Sequence, residues 1–199
     1  MTKAIVLASG STIRSEMLRR AGVPHSVRPA RVDEDSVRAA LRAESAPPRD
    51  VADALAETKA RKVAAAAPHD LVLGCDQVLA IDGDILAKPE SRAEAADQLR
   101  RLRNTHHQLL SAAVLYEDAA PVWRHVGVAR LYMRDFSDAF LEAYLDRNWP
   151  EVQSSVGAYR IEEEGVRLFS RVEGDHFTIM GLPLMELLNH LTLRGVLPS

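Results

Sequence analysis

The sequence predicts an α/β fold with mixed strand pairing, organised as two lobes sharing one sheet. Three observations lead to it. Apolar runs of strand length alternate with segments whose apolar residues recur at helical spacing. One run, LVLGCDQVLAI from Leu71 to Ile81, is nearly all apolar, as a buried strand is. Two later runs, Gln108 to Tyr116 and Val122 to Met133, read as an antiparallel pair.

Taken in order, Lys3 to Ala8 is a continuous β-prone run. Ile13, Met17, Leu18 and Ala21 then mark one helix face, and Gly22 is a natural stop. A strand is expected around Ser26 to Pro29, followed by Val32-Asp33-Glu34 in a loop. Pro47 and Pro48 punctuate the entry to a helix from about Asp50 to Ala66, striped by Val51, Leu55 and Val63. After Ile81, Asp82-Gly83-Asp84 suits a hairpin turn, Ile85 to Ala87 returns, and Lys88-Pro89 ends the strand. Ser91 and Glu94 have capping-box spacing for a helix to about Leu102, with Ala95, Leu99 and Leu102 inward. Asp138 to Arg147 is helical, Val166 to Val172 a strand, and Glu173-Gly174-Asp175 a turn. Pro183 opens the last helix, with Leu184, Leu187, Leu188 and Leu191 on one face. No internal repeat or low-complexity linker interrupts the chain.

Composition limits the function. At 199 residues and 47% hydrophobic, the chain can bury a substantial core. A net charge of −3 with interspersed signs argues against a broad nucleic-acid surface and leaves room for a local cationic pocket. Cys75 is the only cysteine, so no internal disulfide forms, as suits a reducing compartment. The start, MTKAIVLASG, is too short for a secretory h-region, and no later run approaches a membrane span. A soluble, cytoplasmic protein is expected.

The stretch LASGSTIRSEML, Leu7 to Leu18, carries an apolar strand into Gly10 and two serines before a helix begins. Ser11 could simply cap that helix. Alternatively, the exposed N–H groups and partial positive charge of the helix start could hold an anion, with Arg14 adding a guanidinium one turn in. Neither standard nucleotide loop, G-x-x-x-x-G-K-[ST] or G-x-G-x-x-G, is present.

Two charges occupy positions where the pattern wants apolar residues. Asp76 interrupts LVLGC and VLAI, and a carboxylate inside a buried strand is costly unless paired, hydrogen-bonded or metal-bound. The other reading places Asp76 at an exposed junction between two strands. Lys59 falls midway between Leu55 and Val63 in its helix stripe. Snorkelling is the simplest account of one such lysine, and an ammonium at a pocket rim is the functional one. Glu34, Lys88 and the Glu162-Glu163-Glu164 run are by default solvated, and Cys75 reads as a small buried hydrophobe. His106 and His107 lack the spacing of a helical zinc site, and no G-x-S-x-G elbow exists. As a set, Asp76 and Glu34 offer hard oxygens for Mg²⁺ or Mn²⁺. Arg14, Lys59, Lys88 and the Ser9–Ser11 backbone suit a polyphosphate. Together they describe metal-assisted attack of water on a phosphoryl centre.

In this setting LASGSTIRSEML resembles the L-A-S-x-S-P-R-R-x-E-L-L pattern of the Maf family. Val32-Asp33-Glu34, AETKA (Ala56 to Ala60), GCDQV (Gly74 to Val78) and Lys88-Pro89 are similar to its successive motifs. Gly157-Ala158-Tyr159, Val172 to Asp175 and Gly181 to Leu184 match the carboxy-terminal ones. The resemblance keeps order across nearly the whole chain. It implies a single Maf/ITPase-like domain, residues 1–199, with an elongated mixed β-sheet flanked by helices and two lobes around a cleft, often as a homodimer. It also implies a divalent-metal-dependent nucleoside triphosphate pyrophosphatase, linked to restraint of cell division (septum formation) and to removal of non-standard nucleotides. Carried onto matching positions, Asp76 activates water or binds metal, Glu34 assists the metal, and Ser9, Arg14, Lys59 and Lys88 hold phosphates.

The departures bear on base choice. The family's P-R-R is Thr12-Ile13-Arg14, its A-D-T threonine is Gln77, and the glutamine after G-A-Y-x-I is Glu162. Ile13, Gln77 and Glu162 stand at positions implied to select the base, and here they resemble the 7-methyl-GTP branch. A carboxylate at Glu162 could accept the N1–H and N2–H₂ donors of guanine, whose methylated form is cationic, and would repel a uracil carbonyl. Ser155, where the family has lysine, has no reading. Two alternatives remain: a nucleotide-binding regulator of cell division with incidental catalysis, and a pyrophosphatase with little base selectivity.

Overall fold

The computed structural model describes residues 4–198. Its strands are β1 (Ile5–Leu7), β2 (His25–Val27), β3 (Leu71–Ile81), β4 (Asp84–Leu86), β5 (His106–Glu117), β6 (Ala120–Met133) and β7 (Phe169–Glu173). The α-helices are α1 (Thr12–Arg20), α2 (Glu34–Ala43), α3 (Pro48–Ala64), α4 (Arg92–Leu102), α5 (Asp138–Asn148), α6 (His176–Ile179) and α7 (Leu184–Leu193). The strands form one mixed sheet in the order β2-β1-β3-β5-β6-β7, with β4 paired to β3. The predicted α/β class holds, and no helix among the described residues is long and apolar enough to cross a membrane.

The chain divides into two compact units. The first contains the residues up to Gln77, Leu110–Val128 and the segment from Asp175 onward. In it β1 pairs in parallel with both β2 and β3, Leu7 opposite Val27 and Leu73. Ile5, Leu7, Leu18, Leu71, Leu73, Leu115, Leu184, Leu187 and Leu191 form one buried cluster. Each fully buried leucine there contributes about 2 kcal/mol. The second unit comprises Val78–Leu109 and Ala129–Gly174, and there β4 pairs antiparallel with β3 and β7 with β6. Ala80 stands opposite Ile85 and Leu131 opposite Val172. Leu99, Leu102, Leu141, Leu145 and Leu168 are fully buried there.

Most predicted elements are found, and the exceptions have local causes. Strand β1 starts at Ile5; Lys3, expected in it, lies outside the described residues. Glu34 is not in a loop but is the first residue of α2, a helix the sequence did not reveal. Asp33 caps it, Oδ1 accepting from the Ser36 N–H at 3.1 Å. Strand β7 begins at Phe169 instead of Val166, because Glu164–Leu168 coils into 3₁₀ turns. Those turns bring Gly165 against the Arg160 backbone, where a Cβ would meet the carbonyl oxygen at 2.3 Å. The turn expected at Asp175 starts the short helix α6, Asp175 Oδ1 accepting from the Thr178 N–H at 2.9 Å. At α4, Ser91 Oγ accepts from the Glu94 N–H as predicted, but the Glu94 carboxylate reaches Glu90 N–H, one residue before the cap.

Candidate functional site

The site is built where α3 crosses the first part of β3, Leu71 to Gln77, within the first unit. Val51, Ala52, Leu55, Ala56, Ala60 and Val63 form the buried face of α3, and Lys59 lies on that same face. Strand β3 accepts the helix at Gly74, where a Cβ would come within 2.1 Å of the Ala56 carbonyl oxygen. Only glycine permits that approach. Two residues on, and therefore on the same face of the strand, stands Asp76. The close crossing thus delivers an ammonium from the helix to a carboxylate from the strand.

Both groups are buried, Asp76 at 4% and Lys59 at 8% relative exposure. Lys59 Nζ donates to Asp76 Oδ1 at 2.6 Å, so the lysine does not snorkel to solvent. The same ammonium lies 2.8 Å from Glu34 Oε1, at the first turn of α2. One turn further along α2, Arg38 faces the remaining oxygens, 3.6 Å from Glu34 Oε2 and 3.5 Å from Asp76 Oδ2. Asp76 Oδ2 is buried and receives no hydrogen bond. Two carboxylates and two cations therefore balance in charge, but Lys59 is held tightly and Arg38 loosely.

Beside them lies the β1–α1 turn. Ser9 is buried, and its Oγ accepts from Ser11 N–H and from Arg14 Nη1, both at 3.2 Å. Ser11 caps α1, its Oγ accepting from Arg14 N–H at 3.3 Å. The Arg14 guanidinium also donates to the carbonyls of Gly181 at 2.7 Å and Cys75 at 3.1 Å. It clamps the turn to the residue preceding Asp76, and the expected Ser11 cap is present. Gly181 adopts φ +96°, and a Cβ there would press on the Arg14 guanidinium at 3.2 Å. Cys75 is buried, which pushes its thiol up to about 11 and keeps it protonated.

The positions expected to read the base are placed separately. Ile13, in the first turn of α1, is 37% exposed, an apolar surface open to contact. Gln77 Nε2 donates to Ser111 Oγ and to the carbonyls of Thr178 and Ile179, so its donor end anchors α6 and its carbonyl end is the part left to contact a ligand. Lys88, exposed after β4, and Glu162, exposed in the turn before the 3₁₀ segment, belong to the second unit. Ser9, Ile13, Arg14, Glu34, Lys59, Asp76 and Gln77 all belong to the first.

Sequence reasoning missed Arg38. The signal was the Glu34–Arg38 spacing of four, which pairs side chains only if the segment is helical. The residues present fit a divalent cation. Asp76 Oδ2 is a buried oxygen without a hydrogen bond, and Glu34 shares its lysine partner. No group of three or more His, Cys, Asp or Glu among the described residues could hold a metal.

Comparison with known proteins adds relatives to the geometry. Residues 4–193 match the family model described as Maf-like protein. The chain is 58% identical over 198 residues to a nucleoside triphosphate pyrophosphatase of Roseobacter denitrificans, covering 100% of both chains. It is 56% identical over 199 residues to one of Ruegeria pomeroyi, again covering 100% of both. A 7-methyl-GTP pyrophosphatase of Rhizobium etli is 43% identical over 197 residues, with 99% of each chain covered.

Proposed function

Since this chain belongs to the Maf family, we propose that it is a nucleoside triphosphate pyrophosphatase, hydrolysing a triphosphate to monophosphate and pyrophosphate. The observation that carries the reading is the buried Lys59–Asp76 pair, whose ammonium also meets the partly exposed Glu34. A buried lysine–carboxylate pair is poor value for stability alone, whereas an oriented carboxylate beside a phosphate cradle has chemical use. Lys59 holds Asp76 Oδ1 and so aims Oδ2 at the attacking water, whose proton Asp76 accepts. The phosphoanhydride between the α and β phosphates breaks, the water oxygen enters the α phosphorus, and pyrophosphate leaves with the bridging oxygen and its electron pair. The N–H groups at the start of α1 and the Ser9–Arg14 clamp would face the phosphate charge. Glu34 and Asp76 would hold a divalent cation, which when bound neutralises developing phosphate charge.

For the base, the reading extends to 7-methyl-GTP. The residue types at the positions that resemble that branch support it: a carboxylate at Glu162 presents only acceptors, Ile13 is apolar, and Gln77 carries an amide carbonyl. The test is kcat/KM across 7-methyl-GTP, GTP, dTTP, UTP and CTP, with E162Q alongside. The expected result is 7-methyl-GTP well ahead, with E162Q reducing its lead over dTTP about tenfold, the value of one charge-assisted contact. Equal kcat/KM across all bases discards the base reading while keeping the enzyme.

A further inference from the structure

Within the site, the two cations are held differently. Lys59 makes direct contacts of 2.6 and 2.8 Å. Arg38 stays at 3.5 and 3.6 Å, and its side chain is 26% exposed against 10% for Lys59. Helix α2, which carries Arg38, has no buried residue. Glu34 pairs it with Lys59 of α3, and Arg38 faces Asp76 of β3. A divalent cation approaching Asp76 Oδ2 and Glu34 Oε2 meets the guanidinium already facing both oxygens. Two cations cannot share that position without repulsion, so one must leave. The nearest anionic partner for a displaced arginine is the triphosphate that accompanies the metal, and a guanidinium suits phosphate bidentately.

We propose that Arg38 is a positioning residue that holds Asp76 Oδ2 and Glu34 Oε2 in the absence of substrate and passes to a phosphate oxygen when the metal–triphosphate complex binds. It rests on the pyrophosphatase reading, and it assigns Arg38 two opposite effects: it weakens binding of metal alone and strengthens binding of triphosphate with metal. A purely structural salt bridge would compete with the metal but would not strengthen triphosphate binding.

The test is Mn²⁺ titration of the full chain without nucleotide, followed by binding of an α,β-methylene triphosphate analogue with Mn²⁺. R38Q should bind Mn²⁺ about fivefold tighter than wild type, and the analogue about fivefold more weakly, the range of a partly exposed ion pair. R38K should lie close to wild type in the first measurement, since it restores the charge. The gain in R38Q should vanish in the D76N/R38Q double variant. Mn²⁺ affinity unchanged or lower in R38Q, no measurable Mn²⁺ binding by either protein, or unchanged analogue binding would each overturn the proposal. Failure of the function reading is separate: it shows as no pyrophosphate release by wild type, while the nucleotide-free titration still reads Arg38.

Discussion

Lys59 stabilises two carboxylates at once, so its removal and the removal of Asp76 should differ in kind. In K59M the apolar stem remains but the buried Asp76 carboxylate loses the one side-chain hydrogen bond it has among the described residues. Breaking a buried pair from one side costs about 3 kcal/mol or more, so the urea midpoint should fall clearly and activity with it. In D76N the ammonium keeps Glu34 at 2.8 Å, and the fold should lose much less. Turnover should nevertheless drop by about two orders of magnitude or more, the share of a general base. A D76N protein with wild-type turnover would remove Asp76 from the chemistry. Both residues were legible in the sequence, because each is a charge set into an apolar pattern. Their partnership was not, since no spacing rule links position 59 to position 76. Arg38 was invisible for another reason: its segment was read as loop, and a loop assigns no facing to its side chains.

At the scale of elements, the crossing of α3 over β3 depends on Gly74. In G74A the added Cβ meets the Ala56 carbonyl oxygen at 2.1 Å and the Ala60 Cβ at 2.7 Å, neither of which can swing aside. The strand must move from the helix, costing about 3 kcal/mol, at the upper end of overpacking, and separating Lys59 from Asp76. Denaturant unfolding of G74A should show the loss, and its activity should fall further than stability alone explains. A G74A protein as stable and active as wild type would contradict this account of the crossing. The helices that bury a stripe, α3, α4 and α7, announced themselves through apolar periodicity. Helix α2 did not: its apolar residues Val37 and Leu41 are only half-buried, and a cap and ion pairs add to what holds it. The 3₁₀ turns before β7 escaped notice as well. Their cause is the approach of Gly165 to the Arg160 backbone, a tertiary contact with no local signature.

Across the whole molecule, stability should carry a pH signature from the second unit. His107 is 1% exposed, and its Nε2 lies 2.7 Å from the Tyr159 hydroxyl. Burial, with a smaller contribution from His106, lowers its pKa from 6.5 to about 4. Between those values the unfolded chain binds a proton that the folded chain refuses. Stability is therefore full above pH ~6.5 and is lost as pH falls toward 4, by about 3 kcal/mol in all. The H107F/Y159F protein, which replaces both partners with apolar rings, should lose that slope; an unchanged slope would assign it elsewhere. The α/β class and the ordered motifs were legible across nearly the full chain, because buried strands and amphipathic helices write their periods into sequence. The division into two units was only suggested by it, since β3, β5 and β6 each contribute residues to both. The central claim is that this fold brings a buried carboxylate to a triphosphate and water. Its most direct test is to incubate the chain with Mg²⁺ or Mn²⁺ and the triphosphate panel and resolve the products. Monophosphate and pyrophosphate, abolished in D76N, are the predicted result; release of inorganic phosphate with diphosphate, or no product at all, would contradict it.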